Sequence, residues 1–121
     1  IKEIFSNCLS GNAPARISAC CYFDACVNAS LRHICEFLKV CNVTAEDEVV
    51  IYSYWLHTIG MTALHIKNRL KKCVNTIKCI SRCHGFDVYV GRSHANYQPF
   101  QKYLIENFEF AAFFADIDFV Q

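Results

Sequence analysis

The sequence predicts an all-α single domain, and three observations carry that prediction. The chain has 121 residues, 54% of them hydrophobic and 19% charged, which suits one compact domain and excludes a charge-rich disordered chain. It has only 4 glycines and 2 prolines, too few for an all-β fold built on many tight turns. Its apolar residues recur at intervals of three and four through much of the chain, which is the helical period.

Ser10-Gly11-Asn12-Ala13-Pro14 reads as a turn and helix entry, followed by a short helix over about 15–26. From Ser30, the positions Leu31, Ile34, Cys35, Leu38 and Cys41 describe a second helix. Asn42-Val43-Thr44 interrupts the pattern. Thr44 suits a helix N-cap, and Glu46, Asp47 and Glu48 place negative charge where a helix dipole favours it. The segment that follows, Val49 to Ile59, is apolar nearly all round, as expected of a helix buried at the centre of a bundle. Gly60 stands at its exit. Ala63, Ile66, Leu70, Cys73, Ile77 and Ile80 predict a third helix of about 20 residues, ended by His84-Gly85. Residues 86–98 form a polar-aromatic connection. Pro99 opens a last helix lined by Phe100, Tyr103, Leu104, Phe108, Ala111 and Ala115. The sum is four or five helices with short connections.

The 9 cysteines are an odd number, so at least one cannot pair within the chain. Most lie inside apolar helical patterns, where a reduced cysteine acts as a small hydrophobe. Free buried thiols and a reducing compartment are the expectation. The opposing reading is a secreted domain held by disulfides. Two glycosylation sequons, Asn28-Ala29-Ser30 and Asn42-Val43-Thr44, would suit it, but both also sit where helices begin.

The formal net charge is +1, without the basic excess typical of nucleic-acid binders. No apolar run approaches the ~20 residues of a membrane-spanning helix. No signal peptide opens the chain, which begins at Ile1. Cys73, Cys79, Cys83 and His84 are close in sequence but lack the spacing of structural zinc ligands, so no metal site is expected. Adjacent Cys83 and His84 would not face each other on a helix, and His33, His57, His65 and His94 are scattered without paired carboxylates. No catalytic function and no cofactor are expected. Lys67, Arg69, Lys71 and Lys72 read as the solvated face of an amphipathic helix in preference to a phosphate-binding patch.

The order of segments carries further. Residues 30–59, SLRHICEFLKVCNVTAEDEVVIYSYWLHTI, resemble the first half of a cyclin box. His65-Ile66-Lys67-Asn68-Arg69-Leu70 is similar to the opening of that family's third helix. Asp87-Val88-Tyr89, Ala95-Asn96-Tyr97 and Phe100 resemble its following stretch, and residues 109–119 its closing helix. The nearest type is the P/U-type, phosphate-regulon-like cyclin. The resemblance implies a single box over 29–119, with about five helices around a buried central helix. Residues 1–28 would form an N-terminal extension with a short helix. It implies a non-catalytic regulatory subunit that binds and activates a cyclin-dependent protein kinase, by holding a kinase helix inward so that its glutamate meets the ATP-binding lysine. The implied kinase contacts are Lys78 or Arg82 at the end of the third helix, paired with Glu106 or Glu109 of the last. No membrane or nucleic-acid partner is implied. The protein would be intracellular, in nucleus or cytoplasm, and monomeric without its kinase. The alternatives are a secreted disulfide-stabilised helical binding domain, such as a toxin or effector, and a cyclin-like transcription module using Lys67, Arg69, Lys71 and Lys72.

Overall fold

The structure is a computed structural model that describes residues 7–8, 11–89, 91 and 96–113. It is not all-α. A three-stranded parallel sheet runs through it, so the fold class is α/β and the all-helical cyclin-box bundle is not formed.

Helix α1 spans Ala13–Val40, with Pro14 in its first turn. The two helices expected on either side of Asn28 are one. Asn28 does not break it, because its side-chain amide donates to Asp24 Oδ2 one turn back, at 2.9 Å. The boundary expected at residues 28–29 falls in its middle. Cys20, Phe23, Val27 and Leu31 are its buried stripe.

Strand β1, Glu48–Ser53, occupies the segment expected to be the central helix. Two local causes decide it. Val49, Val50, Ile51 and Tyr52 are β-branched or aromatic, stiff in a helix and well fitted to a pleated surface. Asp47, expected to sit in a first helical turn, instead accepts hydrogen bonds from Thr44 N (2.7 Å) and Thr44 Oγ1 (2.9 Å). That closes a turn aimed into the strand.

Helix α2 spans Thr58–Leu70 and strand β2 spans Thr76–Cys83, so the expected third helix is half helix and half strand. The 3-and-4 spacing of Leu70, Cys73, Ile77 and Ile80 mimics a helix. Alternation is the operative pattern here: Ile77, Cys79, Ser81 and Cys83 point to the helices, with Cys79 and Cys83 fully buried. Gly60, expected to stop a helix, lies in the first turn of α2. A Cβ there would stand 3.4 Å from Trp55 O and 3.6 Å from the Phe108 ring, ordinary van der Waals contacts.

A single helical turn, α3 (Gly85–Val88), follows β2. Helix α4 spans only Gln101–Asn107, and the chain then enters β3, Phe110–Phe113, in place of the expected long closing helix. Residues 114–119 of that expected helix lie outside the described residues. Gln101 Nε2 donates to Asp87 O (2.8 Å) and Val88 O (2.9 Å), stapling α4 to the end of α3.

The strand order is β1-β2-β3, with Val50 beside Lys78, Tyr52 beside Ile80, and Ile80 beside Phe110. Helix α2 packs on β1 and β2, α1 packs on α2, and α4 lies against α2. The core between these layers is Phe23, Val27, Leu31, Leu56, Leu64, Ile66, Leu70, Cys79, Cys83 and Leu104.

His57 enters this core at the start of α2. Its ring meets Phe23 edge-on at 5.0 Å and Phe86 at 6.2 Å. Burial lowers its pKa, while the charge of Asp87 partly opposes the shift. A histidine that resists protonation only when folded supports the fold above its ordinary pKa of 6.5. That support is lost as pH falls below 6.5, where the unfolded chain binds the extra proton. Urea midpoints should therefore fall between about pH 7.5 and pH 5.5, and His57→Phe should flatten that part of the profile. An unchanged profile in the variant would exclude His57 as its source.

Candidate functional site

Among the described residues, no helix covers one face of the sheet. Both crossovers, β1 to β2 through α2 and β2 to β3 through α3 and α4, advance in one direction across the sheet. Right-handed crossovers taken in one direction deposit their helices on one face. Parallel sheets are ordinarily covered on both faces, so a face that no described helix covers needs an account.

That face carries Glu48, Val50, Tyr52 and, just beyond the strand, Tyr54 from the β1 side; β2 contributes Lys78, Ile80 and Arg82. Val50 is 54% exposed, Tyr52 56%, Tyr54 53% and Trp55 51%. A solvated sheet face normally alternates to polar residues; this one does not. Its polar groups hold the aromatics in place. The Arg82 guanidinium lies 5.2 Å from the centre of the Tyr54 ring and Nη1 is 3.5 Å from its hydroxyl. The His84 ring contacts Tyr54 at 5.2 Å and Trp55 at 5.9 Å. His84 Nε2 is buried with no hydrogen-bond partner among the described residues. Lys78 pairs with Glu48 at 3.0 Å.

Asp87 fixes this corner. Its Oδ2 accepts from His84 N at 3.0 Å and Leu56 N at 3.4 Å, tying the exit of β2 to the exit of β1. Its Oδ1 has no partner among the described residues. Asp87 lines a cavity of about 10 Å³ with His57, Gln98 and Gln101, space for one water and no more.

The carboxyl ends of parallel strands are where α/β folds bind small molecules, in a crevice opened by a reversal of strand order. The order β1-β2-β3 has no reversal, and the cavity at that end is water-sized. A larger groove, about 450 Å³, runs beside α1. It is lined mainly by Asn28, Arg32, Glu36, Lys39 and Arg69, a set more polar than small-molecule pockets usually present. The open sheet face is thus the surface best built for recognition.

The sequence-derived residues are dispersed. Lys78 and Arg82 stand on the open face, two positions apart on β2. Glu106 is on α4 and pairs with Lys102 at 3.8 Å. Glu109 precedes β3, pairs with Lys67 of α2, and accepts from Cys79 N at 2.9 Å through its other oxygen. Partial burial would raise its carboxyl pKa, but the Lys67 ammonium and the backbone N–H groups outweigh it and hold it below the usual range. The structure brings neither glutamate to Arg82; Glu109 serves instead to seat β3 against β2. The basic run is likewise split: Lys67 is buried in that ion pair, and Arg69 contacts Cys35 Sγ at 2.9 Å.

The candidates weighed for zinc or thiol chemistry also part. Cys83 points into the core while the next residue, His84, points to the open-face aromatics, as successive strand residues do. Burial pushes the Cys79 and Cys83 thiols up to about 11, so neither is a nucleophile near neutral pH. All nine cysteines are free thiols in the structure. Among the described residues, no helix is long and apolar enough to cross a membrane, and no group of three or more His, Cys, Asp or Glu could hold a metal ion.

Val50, Tyr52, Tyr54 and Trp55 are the functional candidates that periodicity misassigned to a buried helix. The density of β-branched and aromatic residues in Val49-Val50-Ile51-Tyr52 was the available signal. No family model, curated protein or solved structure matches the chain.

Proposed function

We propose that this chain is a non-catalytic protein-binding domain that docks its partner on the open face of the sheet. The observation that carries the reading is the exposed row Val50, Tyr52, Tyr54 and Trp55 with Arg82 braced against it. Tyrosine, tryptophan and arginine supply most interface hot spots, because each brings large contact area with a polar handle. Placement of Val50 and Tyr52 on a strand, and of Tyr54 against Arg82 and His84, lowers the ordering cost of binding.

A cyclin-dependent protein kinase, the partner implied by the sequence resemblance, is the first to try, with Lys78 and Arg82 as the polar contacts. Glu109 drops out of that contact set, since it is held by Lys67 and Cys79 N, and Glu106 lies away from it on α4. A photo-crosslinking residue at Tyr52 in the native cell should trap a partner that the same residue at Tyr22, exposed on α1, does not. Tyr52→Glu should weaken binding of that partner about thirtyfold, the scale of one hot spot. The same adducts from both positions would overturn the reading. A specific adduct that is not a protein kinase would retain the docking face and discard the kinase.

A further inference from the structure

We propose that the free edge of β1 pairs antiparallel with β1 of a second copy of this chain, giving a symmetric dimer with a continuous six-stranded sheet. This goes beyond the docking reading and does not require it: pairing uses the backbone edge of β1, although the side chains of Val50, Tyr52 and Arg82 also belong to the open face.

Strand β1 is at the end of the strand order, and among the described residues it pairs only with β2. An edge strand offers a row of backbone donors and acceptors as a template for another strand. Native edges are usually blunted by lysine, proline or a bulge. Residues 48–53, Glu-Val-Val-Ile-Tyr-Ser, contain no lysine or proline and a single charge, Glu48 at the strand's start, and their register with β2 runs without interruption over all six positions.

The edge is self-complementary in one register. With the two-fold axis at Ile51, Val50 opposes Tyr52 of the second copy, a β-branched residue against an aromatic, and the symmetric pair repeats it. Faces match, since each opposed pair falls on the same side of the sheet. Glu48 opposes Tyr54 of the second copy, where Arg82 stands over the ring. The Glu48 carboxylate, paired with Lys78 at 3.0 Å in its own chain, thus shares its charge with the guanidinium of the other copy, twice per dimer. A register centred on Val50 would instead set Val50 against Val50 and Glu48 against Tyr52, away from Arg82. A two-fold contact closes at two copies, whereas a head-to-tail edge contact would not. The arrangement departs from the monomer expected from the sequence.

Sedimentation equilibrium of the full chain at up to about 100 µM, suited to an interface at the small end of the range, tests it. The expected mass is twice the 13.9 kDa of one chain. Val50→Lys with Tyr52→Lys should give a monomer with an unchanged circular dichroism spectrum. Should that variant fail to fold, Glu48→Lys, on a solvent-exposed side chain, should weaken association about tenfold, and adding Arg82→Glu should restore it. Ile80→Glu, on the middle strand, should abolish partner crosslinking from the open face while leaving the dimer intact. A single-chain mass at every concentration would overturn the dimer. A dimer that tolerates all edge variants, or one lost with Ile80→Glu alone, would overturn the β1 pairing.

Discussion

Replacing Phe23 with alanine is expected to destabilise the fold by about 3–5 kcal/mol, the range for deleting a buried aromatic side chain. Phe23 is 2% exposed. Its ring meets His57 at 5.0 Å and Phe100 at 5.3 Å, so it joins α1 to the entries of both α2 and α4. Phe100 itself holds a left-handed backbone conformation (φ 59°), which is costly for a bulky residue and is sustained by such packing. A domain of this size has a total stability of roughly 5–15 kcal/mol, so this one change removes a large part of it. The neighbouring Tyr22, exposed on the same helix, should tolerate alanine within about 0.5 kcal/mol. Urea titration of the two variants checks the pair. A loss under about 1 kcal/mol at Phe23 would mean that α1 does not pack as described. The result also separates the folds, since an all-helical box starting at residue 29 would leave Phe23 in an extension outside its core.

The second large effect is expected at Asp87, where alanine should cost about 2–4 kcal/mol. Removal of the carboxylate strands two backbone donors, His84 N and Leu56 N, near the bottom of the open-face aromatics. Unmade hydrogen bonds at buried donors are more costly than the bonds themselves are stabilising. Asp87→Asn keeps an acceptor oxygen in the same place and should lose less than half as much. Comparable losses for both variants would show that charge, not the pair of hydrogen bonds, is what matters. Because Asp87 joins the exits of β1 and β2, the alanine variant should also loosen Tyr54 and Trp55. A red-shifted Trp55 emission, measured in the folded state, is the readout for that corner.

The helical character of residues 13–40 was legible in the sequence because its cues are local, but the continuity of α1 through Asn28 was not. Pro14 sits where helices begin, and the stripe from Cys20 to Leu31 keeps the helical period. The punctuation was legible too, though not its sense. Gly60 and Gly85 mark boundaries, but both open helical segments instead of closing them. A glycine tolerates a helix start as well as a helix end, so its presence marks a boundary without giving its sense.

The strands were illegible for a specific reason. A run such as Val49 to Tyr52 looks the same whether it is a helix buried all round or a strand with two apolar faces. Length favoured a helix only because Tyr54, Trp55 and Leu56 were counted with the run. They are the loop that turns β1 toward α2. In β2 the coincidence is numerical. Ile77 and Ile80 fit a spacing of three, while Ile77, Cys79, Ser81 and Cys83 fit a spacing of two, and two serine–cysteine alternations carry little hydrophobic signal. At the site, Lys78 and Arg82 were found for a helical reason and turned out to share a strand face.

By itself the sequence determined a helical N-terminal segment, an apolar composition suited to one domain and breaks near residues 42–47, 60, 85 and 99; it split that segment into two helices and placed too many cysteines in the core, since only Cys20, Cys79 and Cys83 are buried. The properties it determined depend on composition and on neighbours within a turn or two. Only the tertiary structure decided which apolar runs pair as strands, which face of them the helices cover, and where each charge finds its partner. Strand pairing joins residues about 28 apart, such as Tyr52 and Ile80, and the Lys67–Glu109 pair joins residues 42 apart. Such choices are made by hydrogen bonding and burial between distant segments. The open face follows from the direction of two crossovers, a property of the chain path that no window of sequence contains.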